Sequence, residues 1–540
     1  MKRHVTLALA LCVPASSLRA SYDVIIYGAT PAGIQAALAA SNEGRTALLA
    51  TPQPLVGGMM SGGLGKTDAG NPMAIGGASA AFFSAVCAAY NDSSTACYMF
   101  EPHVAENLFT DLLAAAAGRV DVALGTTLTA VARGPRGLAS ASFAPTAAAE
   151  RARSAAALAA LPAAVVAGAV FIDATYEGDL LAAAGLTTAV GRESNATYNE
   201  SHAGVLPEPN PFSNHQFKVF VDPLNASTGA PLKWVSADPP APVGSGDDKV
   251  EAYNFRLCMT RNASNLAPFP RPADYDPADW ELARRYLKAA NVTSFSWLMT
   301  LSPLPHGKTD TNNNGSFSTD AIGLSWAWPR ATPAERADLF AAHASYTQGF
   351  VWFLQHDPDV PASVAAEARE WGLAADEFRA TANWPPQLYV REGRRLIGDF
   401  VFRQQDRQTD IRKNDSIGLF SYQIDSHNAH RYVSPTPPHG ALNEGDFELY
   451  GGPLGQMPYR VMLPARAEAA GANVLAPVPL SASHMGYGCL RVEPQLMILG
   501  QAAGVAAAHA IADAVAVQDV DVGKLQARLR ALGAKIDLPS

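Results

Sequence analysis

The 540-residue chain has no excess of positive charge. Its 49 acidic residues outnumber 40 lysines and arginines, the formal net charge is −9, and no basic stripe stands out. That argues against nucleic acid or an anionic membrane as a partner. The five cysteines include no C-x-x-C pair, which argues against a thiol-redox motif. No apolar run can span a bilayer. Val5 to Val13 falls far short of the roughly 20 residues required, and Ile498 to Val517 is interrupted by Gln501, His509 and Asp513, as in a buried helix. What is abundant is hydrophobic residue, at 48%, against 16% charged. A globular chain of this length is expected to divide into two joined domains.

The N-terminus has the layout of a secretory signal over residues 1–20: Lys2 and Arg3, an apolar run, then small residues at Ala15 and Ala20. Asn-x-Ser/Thr acceptor sites at Asn91, Asn195, Asn199, Asn225, Asn262, Asn291, Asn314 and Asn414 point independently to export and surface glycosylation. After loss of Cys12 with the signal, Cys87, Cys97, Cys258 and Cys489 remain. They suit disulfides, with Cys87 and Cys97 bracketing a short polar loop, or else buried thiols.

The organising stretch is residues 22–68. A strand (Val24 to Tyr27) meets the turn Gly28-Ala29-Thr30-Pro31-Ala32-Gly33, a small-residue helix runs to Asn42, and a second strand spans Thr46 to Ala50. Gly28 permits a sharp turn, Gly33 permits close helix–strand packing, and the free N–H groups at the helix start suit a pyrophosphate. Thr30 replaces the middle glycine of G-x-G-x-x-G. Ala50 stands where an acidic residue would hold the ribose, a role open to Thr51 or water. The glycine-rich Gly57 to Gly65 follows, then Lys66-Thr67-Asp68.

Further along, a helix is expected from Phe100-Glu-Pro-His103 and two short strands around Gly125. An alanine-rich insertion of unplaced structure covers 139–168, and a buried strand from Ala167 ends at Asp173-Ala174-Thr175. Proline and glycine clustering over 206–246 marks a linker. Helices are expected near 279–290, 333–355 and 361–378, with Trp352 and Phe353 as core. The polar run Lys308 to Gly315 suits sugar hydroxyls or, in preference, a surface turn.

These motifs resemble the FAD-dependent oxidoreductase family of glutathione-reductase-like fold, in a branch catalogued beside xanthan lyases. The likeness rests on Gly28–Gly33, Gly57-Gly58-Met59, Phe100–His103, Asp173–Thr175, Lys308–Asn313, Arg391–Arg395, Asp425–His427, Arg491-Val-Glu493-Pro494 and Gly500–Gly504. It implies an α/β chain with a Rossmann-like FAD-binding domain (21–200 and 421–540) and an inserted α+β substrate domain (201–420). It also implies FAD held by Gly28, Ala29, Thr30, Ala32, Gly33, Thr51, Gly57, Gly58, Met59, Asp68, Asp173, Ala174, Gly500, Gln501 and Gly504. A helix opening near Pro494 would face the flavin.

No second glycine fingerprint appears, so electrons are expected to leave to dioxygen or a diffusible acceptor. Hydride removal from an alcohol or sugar-like substrate needs a base. His427 is the first candidate and His484 the second, with Asp68, Arg460 and Arg491 to orient substrate or flavin. The rival readings are amine oxidation and a flavoprotein-derived binding protein without turnover.

Overall fold

A computed structural model describes residues 18–146 and 164–539. The signal segment therefore falls almost wholly outside the described residues, as does the middle of the alanine-rich insertion. Strand β1 (Ser21–Tyr27) lies at the centre of a seven-stranded sheet. Helix α1 (Pro31–Asn42) follows, then β2 (Ala47–Ala50), α2 (Gly58–Gly62), α3 (Gly77–Ala89) and α4 (Pro102–Ala115). Strands β3 (Val120–Ala123), β4 (Thr126–Gly134), β5 (Gly137–Pro145) and β6 (Ala164–Asp173) complete most of the sheet. The order is β3-β2-β1-β6-β5-β4, and a short strand at Val474–Leu475 also pairs with β6.

β3, β2, β1 and β6 are mutually parallel, with Tyr27 opposite Ala50 on one side and Asp173 on the other. Val24, Ile25 and Ile26 are completely buried, as expected of a parallel strand covered on both faces. The described ends of the insertion belong to β5 and β6, which pair antiparallel.

A second, five-stranded antiparallel sheet is built from β7 (Leu257–Thr260), β8 (Leu266–Ala267), β9 (Met299–Leu304), β10 (Lys308–Asn313) and β11 (Gly372–Ala374). Helices α5 (Glu281–Ala289), α6 (Pro333–His356) and α7 (Ala362–Glu370) accompany it. The start of α6 is fixed by a Thr332/Glu335 capping box with Pro333 in its first turn. The chain then returns through β12 (Ile424–Ser426) to α8 (Glu493–Asp513). Among the described residues α8 is the one helix long and apolar enough to cross a membrane. Yet 89% of its apolar window is buried in the protein.

Two expectations change, and the cysteines divide between the two readings. Residues 308–313 form a buried strand, not a surface turn, because distant side chains neutralise their polar groups. Lys308 meets Glu101, Asp376 and Glu377, and Asp310 meets Arg256. The helix expected over 361–378 stops at Glu370. Gly372 then enters β11, where a side chain would meet the Ala267 carbonyl at 2.5 Å. Cys87 and Cys97 are disulfide-bonded, whereas Cys258 and Cys489 are buried free thiols.

Candidate functional site

The turn after β1 is shaped by contact rather than flexibility. Gly28 has φ +107°, and a Cβ there would lie 2.5 Å from the Ala174 carbonyl; one on Gly33 would lie 2.0 Å from the Gly28 oxygen. Thr30 fills the middle-glycine position as an N-cap. Its Oγ1 accepts from Gly33 N at 3.2 Å and donates to the Ala174 oxygen at 2.9 Å, so its side chain ties α1 to the end of β6. Gly57 donates to the Ala29 oxygen at 2.8 Å, and a Cβ on Gly58 would lie 3.2 Å from Thr30 Cα, so α2 begins against the same turn.

Within this corner the backbone N–H groups of Ala29, Thr30, Ala32 and Gly58 donate to no described residue. Such converging unpaired donors at a helix N-terminus are the donor set a diphosphate requires. By this test the corner fits the pyrophosphate of a dinucleotide.

Other residues of the expected cofactor set have structural partners. Asp173 Oδ1 accepts from Thr175 N and Oγ1, and Oδ2 accepts from Leu181 N, so its carboxylate fastens the segment after β6. Burial pushes its pKa up to about 7. Thr51 is buried, and its Oγ1 accepts from Gln53 N. Gln501 accepts from Ala78 N at the start of α3.

Gly500 and Gly504 lie against α1, where side chains would meet the carbonyls of Ala32 (2.1 Å) and Ala36 (2.3 Å). Their role in the structure is helix contact. That contact runs α1 and α8 side by side in the same direction. Glu493 lies seven residues before Gly500, whereas Pro31 lies only one before Ala32, so α8 projects past α1 by about 9 Å at 1.5 Å per residue.

The projecting end of α8 faces a polar chamber. Met59 N donates to the Tyr176 hydroxyl at 3.0 Å, and that hydroxyl donates to Glu493, whose pKa burial pushes up to about 8. From α2 the chain reaches Gly65 and Lys66, whose N–H groups both donate to Asp310 Oδ2 at 2.6 Å; Arg256 Nε donates to Oδ1 at 2.8 Å. Asp68 follows. Its carboxylate has no hydrogen-bond donor among the described residues, and burial raises its pKa despite nearby Arg256.

Opposite lie the residues of the Asp425–His427 and Arg491 motifs. His427 Nδ1 pairs with Asp320 Oδ2 at 2.8 Å, and its Nε2 lies 3.9 Å from Asp425 Oδ1, beyond a hydrogen bond. Its backbone N–H is fixed by Glu251 at 2.8 Å. Arg491 Nη2 donates to Asp425 Oδ2 at 2.9 Å, and Tyr422 donates to the same oxygen at 2.8 Å. Arg391 donates to Asp320 Oδ1 at 3.0 Å. Burial opposes charge on Asp320 and Asp425, but Arg391 and Arg491 respectively hold the two carboxyls below the ordinary range, with His427 adding to both.

The structure thus gathers His427, Arg491 and Asp68. His484 is sealed away: Nδ1 pairs with Glu392 at 2.6 Å, Nε2 with Ser426 at 3.0 Å, and burial lowers its pKa to about 4. With both ring nitrogens engaged it has none to offer a substrate. Arg460 lies elsewhere, paired with Asp415 at 3.1 Å and stacked on Phe400. Sequence reasoning missed Asp320, Arg256 and Tyr389. Only Arg391, two residues beyond Tyr389, stood in a motif that pointed this way.

A parallel sheet whose first strand–helix turn presents unpaired amides is the arrangement of a dinucleotide-binding fold. The chain belongs to the FAD-dependent oxidoreductase family, whose model, described as FAD dependent oxidoreductase, matches residues 23–529. It is an FAD enzyme by membership. No curated protein matches significantly.

Among solved structures, the chain is similar to THI4 of Thermovibrio ammonificans (15% identity, TM-score 0.24, 32% of this chain and 66% of that one). It is also similar to p-nitrophenol 4-monooxygenase PnpA of Pseudomonas putida DLL-E4 (12%, 0.24, 33% and 47%) and to OxyS anhydrotetracycline hydroxylase of Streptomyces rimosus (14%, 0.21, 35% and 41%). The chain thus spans less than two thirds of the length of each.

Proposed function

We propose that the protein oxidises a small alcohol or sugar-like substrate, with His427 as the base. The observation that carries this is the Asp320–His427 pair. With Nδ1 committed to Asp320, Nε2 is the ring atom left to accept a proton, and no described residue lies within hydrogen-bond reach of it. Asp320 fixes the ring and stabilises the imidazolium that forms. FAD, when bound, supplies the hydride acceptor. His427 takes the hydroxyl proton as the C–H bond gives up its hydride, and Arg491 and Asp68 orient the substrate.

The fold reading that accompanies this is a glutathione-reductase-type domain (21–200 and 421–540) with residues 201–420 inserted as the substrate domain. Residues 1–20 serve as an export signal. Seven of the eight acceptor asparagines are exposed, Asn314 being half-buried, and the Cys87–Cys97 bond suits an oxidising compartment. Electrons pass on to dioxygen or a diffusible acceptor.

The test is anaerobic bleaching of the bound flavin by a panel of alcohols, sugars and amines, in the wild type and His427→Gln. The expected result is bleaching by hydroxylated compounds, slowed about 100-fold or more in the variant with its flavin content unchanged. Equal bleaching rates would overturn the assignment.

A further inference from the structure

Tyr389 is 9% exposed and lies against two guanidiniums. The guanidinium of Arg391 lies 4.8 Å from its ring centroid and that of Arg256 lies 5.3 Å away. Its backbone N–H is anchored to the Asn254 oxygen at 2.9 Å. A side chain so firmly placed nevertheless has a hydroxyl that bonds to no described residue, although Arg491 and Asp68 are both near enough to act on its ionisation. The hydroxyl oxygen is not sealed from solvent, so an entering ligand can reach it.

The same holds around it. Among the described residues the half-buried Asp68 carboxylate likewise has no donor, and Arg491 lies near enough to act on both Asp68 and Tyr389. Two neighbouring groups without partners among the described residues, beside the Arg491 guanidinium, can be met by one group delivered from outside.

Their chemistry selects its class. Asp68 only accepts while ionised, Arg491 only donates, and Tyr389 does both. An ammonium substrate would bring only donors toward three guanidiniums, those of Arg256, Arg391 and Arg491. A carboxylate substrate would bring only acceptors toward Asp68, Asp320 and Asp425. A hydroxyl gives and receives at once, and two neighbouring hydroxyls satisfy the set while a third approaches His427.

We infer that the chamber takes an uncharged polyhydroxylated substrate, with Tyr389 and Asp68 reading the hydroxyl next to the one that is oxidised. This deepens the oxidation reading above and rests on it. Tyr389 and Asp68 here determine specificity, since a site that bonds a substrate hydroxyl discriminates against the analogue lacking it.

The experiment compares an aldohexose with its monodeoxy analogues, reading kcat/KM, flavin content and thermal stability in the wild type, Tyr389→Phe, Asp68→Asn and His427→Gln. In the wild type at least one monodeoxy analogue should be disfavoured by 100-fold or more. Tyr389→Phe and Asp68→Asn should each reduce that preference at least tenfold. Tyr389→Phe, which breaks no bond within the protein, should melt no lower than the wild type in the absence of sugar. It should also lose the rise in melting temperature that the hexose produces.

Unchanged selectivity in both variants overturns the inference, as does a wild-type flavin bleached by amines or carboxylates but by no polyol. His427→Gln separates the two readings. If it bleaches like the wild type while Tyr389→Phe still loses selectivity, the base is wrong and the polyol site stands. If it slows every sugar alike while Tyr389→Phe and Asp68→Asn change nothing, the base stands and the polyol site falls.

Discussion

Lys308 offers the most direct test of how the two sheets are held together. Its side chain is wholly buried, and its ammonium lies 2.5 Å from Glu101, at the start of α4, and 2.8 Å from both Asp376 and Glu377. Glu101 and Glu377 are themselves almost fully buried, while Asp376 is about a third exposed. Lys308→Met keeps the apolar stem and removes the one cation shared by all three carboxylates. Breaking a buried pair from one side costs about 3–5 kcal/mol.

The low end applies here, since His103 on Glu377 and His306 on Glu101 remain to offset the loss. An unfolding entropy of about 2.1 cal/mol/K per residue gives on the order of 1 kcal/mol/K for this chain, so the loss should lower Tm by ~3 °C. Burial opposes charge on Glu377 and Asp376, but the partners around them, His103 for Glu377 and Lys308 for both, hold the two carboxyls below the ordinary range.

A carboxyl lowered in the fold contributes stability above its unfolded value, and that contribution fades as pH falls through the folded one. The difference between wild type and variant should therefore be full near pH 7 and shrink below about pH 4. Scanning calorimetry at the two pH values measures this. A shift under 1 °C at pH 7, or a larger shift at low pH, would refute the reasoning.

The remaining predictions concern α8. Gly500→Val forces a side chain into the Ala32 carbonyl; overpacking of this kind costs about 1–3 kcal/mol. Because it prises α8 from α1, it should also weaken FAD retention on gel filtration, and full retention would contradict the packing argument. Glu493 is raised by burial to about 8, so its neutral form belongs to the folded state. That contribution is whole below the ordinary carboxyl value and declines as pH rises toward 8. Glu493→Gln should accordingly flatten the fall in Tm between pH 5 and 9, and an unaltered profile would count against a neutral Glu493.

What could be read from the sequence was local. The strand, turn and helix around Gly28 follow from residues within a dozen positions, and the structure reproduces them. Gly500 and Gly504 marked α8, but their use in seating it against Ala32 and Ala36 depended on a partner more than 450 residues away. The run from Lys308 to Asn313 looked like solvent-exposed polar chain because nothing in it announces that Glu101, Arg256 and Glu377 neutralise it. The sequence placed His427 ahead of His484 but not for the reason that separates them. What separates them is Asp320, 107 residues from one, and the pair Glu392 and Ser426 enclosing the other. Asp320 and Tyr389 carried no local signal because their roles come from the chamber wall they form.

The central proposal is spatial: the diphosphate of FAD would rest at the start of α1, and its ring would reach the projecting end of α8 beside His427. A crystal structure of the flavin-loaded protein tests it in one measurement. The account predicts phosphate oxygens bonded to the N–H groups of Ala29, Thr30, Ala32 or Gly58, and the ring lying between Met59 and Arg491 with His427 Nε2 open to the space above it. A ring bound outside that chamber, or His427 Nε2 bonded to a protein partner in the loaded enzyme, would contradict it.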